Sequence, residues 1–202
     1  MITIYNFNRG ARGVRVCWVC EEMRLAYRRE TVTYPPSAAY LALNPLGSVP
    51  FLQDEGGVAI NESIAMMLYV AERYGPTPLL PAKTDPTLAK VLQLTLFGEA
   101  TLGACINPLI MAKFGAPEPD MDNWLVRTLE LRTEEAIATL VRALGGGPFL
   151  AGSNFTLADI SVSCALDMWK GALGKAVPDA LGDWRERVQA RPAYQRALAA
   201  QS

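Results

Sequence analysis

The stretch that decides the fold reads Asn44-Pro45-Leu46-Gly47-Ser48-Val49-Pro50-Phe51-Leu52. A proline holds the residue before it in an extended conformation, so Val49-Pro50 is typical of a point where a loop ends and a strand begins. We therefore predict a strand over 49–53. An X-Pro bond can adopt the cis form at modest cost, and we expect the Val49-Pro50 peptide to be cis.

Directly after this strand the sequence predicts a hairpin and a helix. Asp54-Glu55-Gly56-Gly57 has the composition of a tight turn, and 58–60 is the returning strand. Asn61 is a favourable N-cap for a helix over 62–74, which Gly75-Pro76 ends. The centre of this region is thus a β-β-α unit.

The residues before this stretch alternate between strand and helix patterns. Strands are predicted over 2–5 and 28–34, a loop over 8–13, a helix over 14–26 and a short helical turn ending near Leu43. The combined order β-α-β, then α-β-β-α, predicts a mixed sheet with helices against it.

Downstream of the sheet the pattern is helical. The proline-containing segment 77–83 is typical of a linker. Helices are predicted over 85–114 with a kink at Pro108, over 121–144, 156–173 and 179–191, and after Pro192. Thr156 and Asp159 have the spacing of a capping box, which we interpret as a stabilising feature rather than a catalytic one.

The composition excludes several classes of function. Lysine plus arginine is 19 and aspartate plus glutamate is 20, with no basic run, so nucleic-acid binding is not expected. The chain has no histidine, which removes the commonest metal ligand, and we expect no metal. No apolar stretch approaches the roughly 18–20 residues of a membrane span, and no signal peptide is apparent. We expect a cytoplasmic protein without membrane association.

Two long motifs resemble the cytosolic glutathione S-transferase superfamily. The stretch 44–52, with 60–65 and Tyr69, is similar to the family's NPxGxVPxL…ESxAI pattern. The stretch 149–160, FLAGSNFTLADI, resembles the family's helical-domain motif, and Arg191-Pro192-Ala193-Tyr194 resembles its C-terminal end. The resemblance spans nearly the whole chain.

The resemblance implies both a fold and a function. The fold is an α/β thioredoxin-like N-terminal domain over 1–78 that binds glutathione, followed by an all-α C-terminal helical domain over 85–202. The leading function is a transferase of detoxification that conjugates glutathione, as co-substrate, to small and mostly apolar electrophiles. The alternatives are a non-catalytic glutathione- or ligand-binding protein and a glutathione-dependent peroxidase or reductase. The resemblance also implies a homodimer.

The resemblance implies that glutathione binds at Val49, Pro50, Glu62 and Ser63. Val49 presents its backbone to the cysteinyl unit like an added strand, unless Pro50 simply shapes a turn. Ser63, at a helix N-terminus, donates to the γ-glutamyl carboxylate, and Glu62 accepts from the γ-glutamyl ammonium. A plain helix cap is the alternative interpretation of this pair.

The sequence departs from the family pattern at the positions where the family places its thiol-activating residue. Serine-type members often read R-S-R-S-x-R-V, whereas this chain has Ala11 and Gly13 at the two serine places. Tyr5 is the nearby phenol, although it points into the core if it lies inside the strand. The alternative activator is the start of the first helix, aided by Asn8 or Arg12.

Three further predictions concern the cysteines of the first helix, the electrophile pocket and the surface for a partner subunit. Cys17 and Cys20 lie inside the first helix, so we interpret them as apolar fillers rather than a redox pair. The electrophile pocket is expected between the first loop and helix 85–114, with Leu102, Ile106 and Met111 as walls. On helix 62–74, one face is left for a partner subunit: Met66, Val70 and Arg73.

Overall fold

The computed structural model describes residues 1–8 and 12–200. The chain divides into two compact units, the first made of Met1–Leu80 with Gln189–Ser202 and the second of Pro81–Val188. The sequence analysis assigns 1–78 and 85–202 to two domains, so the main difference is that the C-terminal segment lies with the first unit.

The first unit is built on a four-stranded mixed sheet with the strand order β2-β1-β3-β4. β1 (Ile2–Asn6) runs parallel to β2 (Tyr27–Thr31) and antiparallel to β3 (Phe51–Asp54), which pairs antiparallel with β4 (Val58–Ile60). The mixed sheet predicted from the sequence is confirmed. The hairpin between β3 and β4 turns through a short 3-10 segment in which Gly56 has a φ of 74°, a conformation that glycine adopts without penalty.

The helices of the first unit cover opposite faces of the sheet. They are α1 (Gly13–Glu22), α2 (Ala38–Leu43) and α3 (Ser63–Arg73). Side chains alternate along β1, so Ile2, Ile4 and Asn6 are buried on the face that carries α1. Tyr5 points to the other face, where it packs against Tyr40 of α2 and against Phe51.

The last helix, α9 (Pro192–Ala199), packs against α1. The rings of Trp18 and Tyr194 lie 4.5 Å apart between centroids. Arg191 donates to both carboxylate oxygens of Glu22, at 2.6 and 2.7 Å. These contacts explain why the C-terminal segment belongs to the first unit, which helical periodicity alone does not reveal.

The prediction that Met66, Val70 and Arg73 of α3 face a partner subunit is wrong for two of the three residues. Met66 and Val70 are completely buried within the chain, as is Met67. The reason is that α3 also packs against α1, so more than one side of the helix is covered. Arg73 is exposed, as expected.

The second unit is helical. Its helices are α4 (Leu88–Leu96), α5 (Ala104–Gly115), α6 (Trp124–Leu144), α7 (Leu157–Gly171) and α8 (Gly182–Gln189), the last of which ends at the boundary between the units. Asn123 caps α6 by accepting from the backbone N–H groups of Leu125 and Val126. The all-helical character predicted for this part of the chain is confirmed.

The long helix predicted over 85–114 is interrupted by a π-helical segment, Phe97–Gly103. At Gly98 a Cβ atom would lie only 2.3 Å from Oγ of Ser161 on α7, so the two helices approach closely at this glycine. Ser161 donates to the carbonyl of Thr95 at 2.7 Å. The π-helical segment ends at Gly103, before Pro108, which lies inside α5; the kink at Pro108 stays a prediction.

Two of the expected pocket walls belong to the core of the second unit. Leu102 and Ile106 are fully buried, whereas Met111 is 74% exposed. The continuous helical stretch Leu88–Gly115 is long and apolar enough, by length and composition alone, to cross a bilayer, which we did not expect from the sequence. Its helix α4 packs against α7.

Asp159 anchors the start of α7. The capping box with Thr156 is confirmed, since Asp159 Oδ2 accepts from the Thr156 N–H at 2.9 Å. Its other oxygen accepts from the Leu150 N–H and from the indole of Trp184, at 3.0 and 2.9 Å. A local capping motif thus also joins α7 to the preceding loop and to α8.

Candidate functional site

The loop before β3 is held by a network of amide and hydroxyl groups. Tyr40 and Asn44 both donate to the carbonyl oxygen of Ser48, at 2.6 and 2.8 Å. Asn61 donates to Asn44 Oδ1 at 3.1 Å and accepts from Ser48 Oγ at 3.3 Å. The residue just before Val49 is therefore tied to the residue just before Glu62, which fixes the two predicted binding segments relative to each other.

The Val49-Pro50 peptide is cis, as predicted. Val49 is half-buried and packs against the cluster formed by Val32, Tyr40 and Phe51. Because it precedes the first residue of β3, its backbone lies beyond the part of the sheet that is paired with β1. The strand-like pairing of Val49 with a peptide stays a prediction.

The start of α3 carries Glu62 and Ser63. Helix α3 begins at Ser63, which is only 4% exposed, and Glu62 occupies the N-cap position with an exposed side chain. Glu62 has a φ of 70°, a strained conformation for a residue other than glycine. Strain of this kind is concentrated at functional sites. Asn61, the predicted N-cap, instead uses its amide in the network of the loop.

Arg15 reaches the same place from α1 and was not predicted there. Its side chain is fully buried, and Nη1 donates to Ser63 Oγ at 3.1 Å. Residues 15 to 20 of α1 are all buried. A partner for Arg15 is then expected, because arginine is almost never buried without one, but its burial follows from the fold and not from the sequence pattern.

Tyr5 lies inside β1, and its side chain belongs to the face of the sheet that α2 covers. Its hydroxyl donates to Gln53 Oε1 at 2.8 Å. Its ring stacks at a tilt between Tyr40 and Phe51, with centroid distances of 5.7 and 5.6 Å. The phenol is thus bound by the sheet, and its activating role stays a prediction.

Asn8 and Arg12 flank the start of α1. Asn8 is exposed and accepts from Thr31 Oγ1 at 3.3 Å, whereas Arg12 is half-buried at the N-cap position of α1. Ala11 lies outside the described residues. Gly13 begins the helix, and a Cβ atom there would lie 2.3 Å from Cγ of the buried Asn6. Asn6 therefore excludes a serine at this position as long as its side chain keeps its place.

The Cys17-x-x-Cys20 pair is buried in the middle of α1. Burial raises the pKa of the Cys20 thiol well above its ordinary value. A buried thiol with a raised pKa is a poor nucleophile, which agrees with its interpretation as an apolar filler. Across the described ranges 1–8 and 12–200, no cluster of three or more cysteine or carboxylate side chains has the arrangement of a metal site.

Two family models match the chain. The family described as Glutathione S-transferase, N-terminal domain, matches residues 13–73, and the one described as Glutathione S-transferase, C-terminal domain, matches residues 127–200. The chain is 26% identical to the Disulfide-bond oxidoreductase YfcG of Escherichia coli, over 98% of this chain and 94% of that protein. It is 31% identical to the Glutathione S-transferase stcT of Emericella nidulans, over 94% and 88%.

Solved structures show the same fold. The theta class glutathione S-transferase of Xanthomonas axonopodis pv. citri, solved with glutathione bound, aligns with a TM-score of 0.81 and 29% identity over 98% of this chain and 96% of that one. Arg15, Val49, Glu62 and Ser63 lie within the part of the chain, 13–73, that matches the N-terminal family, whereas Tyr5, Asn8 and Arg12 precede it.

Proposed function

Because the chain belongs to the glutathione S-transferase family, we propose that it binds glutathione in its first unit and conjugates it to small, mostly apolar electrophiles. The observation that carries this proposal is the hydroxyl of Ser63. It lies at the start of α3 and accepts a hydrogen bond from a buried arginine. Asn61, two residues earlier in the chain, is bonded to Asn44 and Ser48 of the loop that precedes Val49.

Each binding residue has a distinct role in the proposal. The N–H and C=O of Val49, set by Pro50, pair with the cysteinyl unit of glutathione. The hydroxyl of Ser63 and the first N–H groups of α3 donate to the γ-glutamyl carboxylate, because these N–H groups have no acceptor within the helix. The exposed carboxylate of Glu62 accepts from the γ-glutamyl ammonium.

The thiol of glutathione is activated without a serine or cysteine side chain. The pKa of a free thiol is about 8.5 and must be lowered by about 1.5–2 units for the group to be mostly thiolate at neutral pH. This lowering requires about 2–2.7 kcal/mol. A helix N-terminus supplies about 0.3–2 kcal/mol and one hydrogen bond to a charged group about 1.5–3. The start of α1, with Arg12 or Asn8, therefore suffices. Tyr5 becomes the weaker candidate because its hydroxyl is bonded to Gln53.

The reaction itself needs no group beyond these. The thiolate sulfur attacks the electrophilic carbon, a carbon–sulfur bond forms, and the leaving group departs with the electron pair of the broken bond. The protein's contribution is to orient the peptide and to stabilise the thiolate before attack.

A non-catalytic glutathione-binding protein is the second candidate. The bonded phenol of Tyr5, together with a glycine at position 13, favours it. A glutathione-dependent reductase is the third, since one relative is named a disulfide-bond oxidoreductase. In that case we assign the reducing thiol to glutathione rather than to the buried Cys17 and Cys20.

The proposal includes a cytoplasmic homodimer, as the family resemblance implies. On α3 the exposed residues include Ala65 and Arg73, so we assign the partner face to these rather than to the buried Met66 and Val70. Light scattering at micromolar concentration is expected to give twice the mass of one chain, and a monomeric mass refutes the dimer.

Two assays test the proposed function. Calorimetric titration with glutathione is expected to give saturable binding, and an aryl halide with glutathione is expected to release halide at a rate proportional to enzyme. Binding without release of halide from any of a series of aryl and alkyl halides favours the non-catalytic protein. Reduction of a mixed disulfide of glutathione, without conjugation, favours the reductase.

A further inference from the structure

Arg15 is the one buried arginine in the described part of the first unit, and it lies directly behind the proposed ligand site. Ser63 is buried as well, so the contact between Nη1 and Oγ is removed from solvent. An arginine is charged at every physiological pH, and its charge is screened much less in the interior than at the surface.

The chemistry of this contact fixes the direction of the Ser63 hydroxyl. A guanidinium has five N–H donors and no acceptor, whereas a serine hydroxyl has one donor and two acceptor lone pairs. Ser63 Oγ must therefore accept from Arg15, and its own proton is directed elsewhere. The hydroxyl becomes a donor toward whatever binds at the start of α3.

The surroundings of Ser63 reinforce this preference for an acceptor. The first intrahelical hydrogen bond of α3 runs from the Met66 N–H to the Glu62 carbonyl, so the N–H groups of the first turn before Met66 are directed out of the helix end. The helix dipole adds partial positive charge at the same point. At the Ser63 hydroxyl a ligand group meets hydrogen-bond donors and the positive end of the helix dipole, with the Arg15 guanidinium behind them, whereas the carboxylate of Glu62 is exposed at the N-cap position and is left for the ammonium of the ligand.

We propose that Arg15 is a positioning residue that makes this site select an ionised carboxylate over a neutral group of the same shape. This inference rests on the proposed function, in which the γ-glutamyl carboxylate of glutathione binds at Ser63. Arg15 acts through Ser63: it orients the hydroxyl and supplies a buried positive charge that favours a negative ligand. It sets specificity and does not touch the reacting thiol.

A purely structural role for Arg15 has a different signature. If the arginine only ties α1 to α3, its loss weakens the binding of charged and neutral ligands equally. The positioning role predicts that the ratio between their affinities changes. The decisive quantity is therefore the ratio of two dissociation constants measured on the same variant.

The test uses glutathione and its analogue in which the γ-glutamyl α-carboxylate is replaced by a primary amide. In the unmodified protein we expect glutathione to bind at least about tenfold more tightly than the amide, equivalent to about 1.4 kcal/mol. Arg15→Gln keeps a group that can donate to Ser63 and removes the charge, so the ratio is expected to fall to about threefold or less. Arg15→Lys keeps a positive charge on a group that donates and does not accept hydrogen bonds. Its affinity ratio is expected to lie above that of Arg15→Gln.

Arg191→Met is the matched control. It removes another arginine from the first unit and leaves Glu22 of α1 without its bidentate donor, but it does not touch Ser63. Its affinity ratio is expected to equal that of the unmodified protein.

Several outcomes overturn the inference. In the first, the unmodified protein binds the two peptides equally. In the second, Arg15→Gln folds and its affinity ratio is unchanged. In the third, Arg15→Gln and Arg15→Lys lower the affinity ratio equally. The first of these needs no variant, so the test holds even if every Arg15 variant fails to fold. An unmodified protein that binds neither peptide overturns the proposed function and this inference together.

Discussion

The hydroxyl of Tyr5 donates to Oε1 of Gln53 at 2.8 Å, which joins β1 to the neighbouring strand β3. In the sheet register Tyr5 pairs with Phe51 and Thr3 with Gln53, so Tyr5 and Gln53 are diagonal neighbours on one face. The one proton of the phenol is therefore used within the sheet. This relationship changes the expected source of thiol activation from a side chain of β1 to the start of α1.

Replacement of Tyr5 by phenylalanine is expected to leave catalysis nearly unchanged. The change removes the bond to Gln53 and almost no volume, so the free energy of unfolding should fall by about 0.5–1.5 kcal/mol. The conjugation rate at neutral pH and the thiol pKa of bound glutathione should stay within measurement error. An increase of that pKa by a unit or more, with a slower reaction, would identify Tyr5 as the activator after all.

Replacement of Arg12 by alanine is expected to raise the thiol pKa of bound glutathione. Arg12 occupies the N-cap position of α1, where a cation adds to the positive end of the helix dipole. We expect an increase of about one unit, or about 1.4 kcal/mol, measured by the ultraviolet absorbance of the thiolate against pH. Arg132→Ala, at an exposed position of α6, is the control and should change nothing. If both variants behave alike, Arg12 has no part in activation.

The buried carboxylate of Asp54 predicts how stability depends on pH. Burial alone would raise its pKa, but hydrogen bonds from Tyr74, the Glu55 backbone and Tyr69 outweigh burial, and the pKa lies below its ordinary value of 3.8. A carboxyl with a lowered folded-state pKa stabilises the protein above about pH 4, and this contribution is lost as the pH falls through the folded-state value.

Asp54→Asn should therefore lose about 1–3 kcal/mol of unfolding free energy at neutral pH, and the difference from the unmodified protein should shrink in acid. Urea unfolding at a series of pH values measures both quantities. Asp183→Asn, an exposed aspartate on α8, provides the comparison. A difference that persists or grows in acid would show that the ionised carboxylate of Asp54 is not what stabilises the hairpin.

The parts of the structure that the sequence predicts well depend on short-range signals. The turn at Gly56 and the capping box of Thr156 and Asp159 each follow from residues that are neighbours in the chain. Their conformations are limited by the local backbone, so a single sequence suffices to predict them. The cis form of an X-Pro peptide is not fixed in this way, because Tyr34-Pro35 and Gly75-Pro76 are also cis and were not predicted.

The features that were not predicted from the sequence depend on contacts between segments that are distant in the chain. Helical periodicity does not reveal that Gly98 meets Ser161 or that α9 returns to α1, and these contacts produce the π-helical segment and the composition of the first unit. The contact of Arg15 with Ser63 was missed for the same reason, since the two residues are 48 positions apart. An arginine on a helix is ordinarily solvated, and only the fold shows that this one is buried.

The affinity for glutathione of Ser63→Ala tests the central claim most directly. The variant removes the hydroxyl that the proposal assigns to the γ-glutamyl carboxylate, so calorimetry should show binding weaker by about 1.5–3 kcal/mol, the range for a hydrogen bond to a charged group. Ser163→Ala, which removes another buried serine hydroxyl whose Oγ has no hydrogen-bond partner in the described structure, should bind like the unmodified protein. An affinity of Ser63→Ala equal to that of the unmodified protein would contradict the account, because glutathione would then not bind at the start of α3.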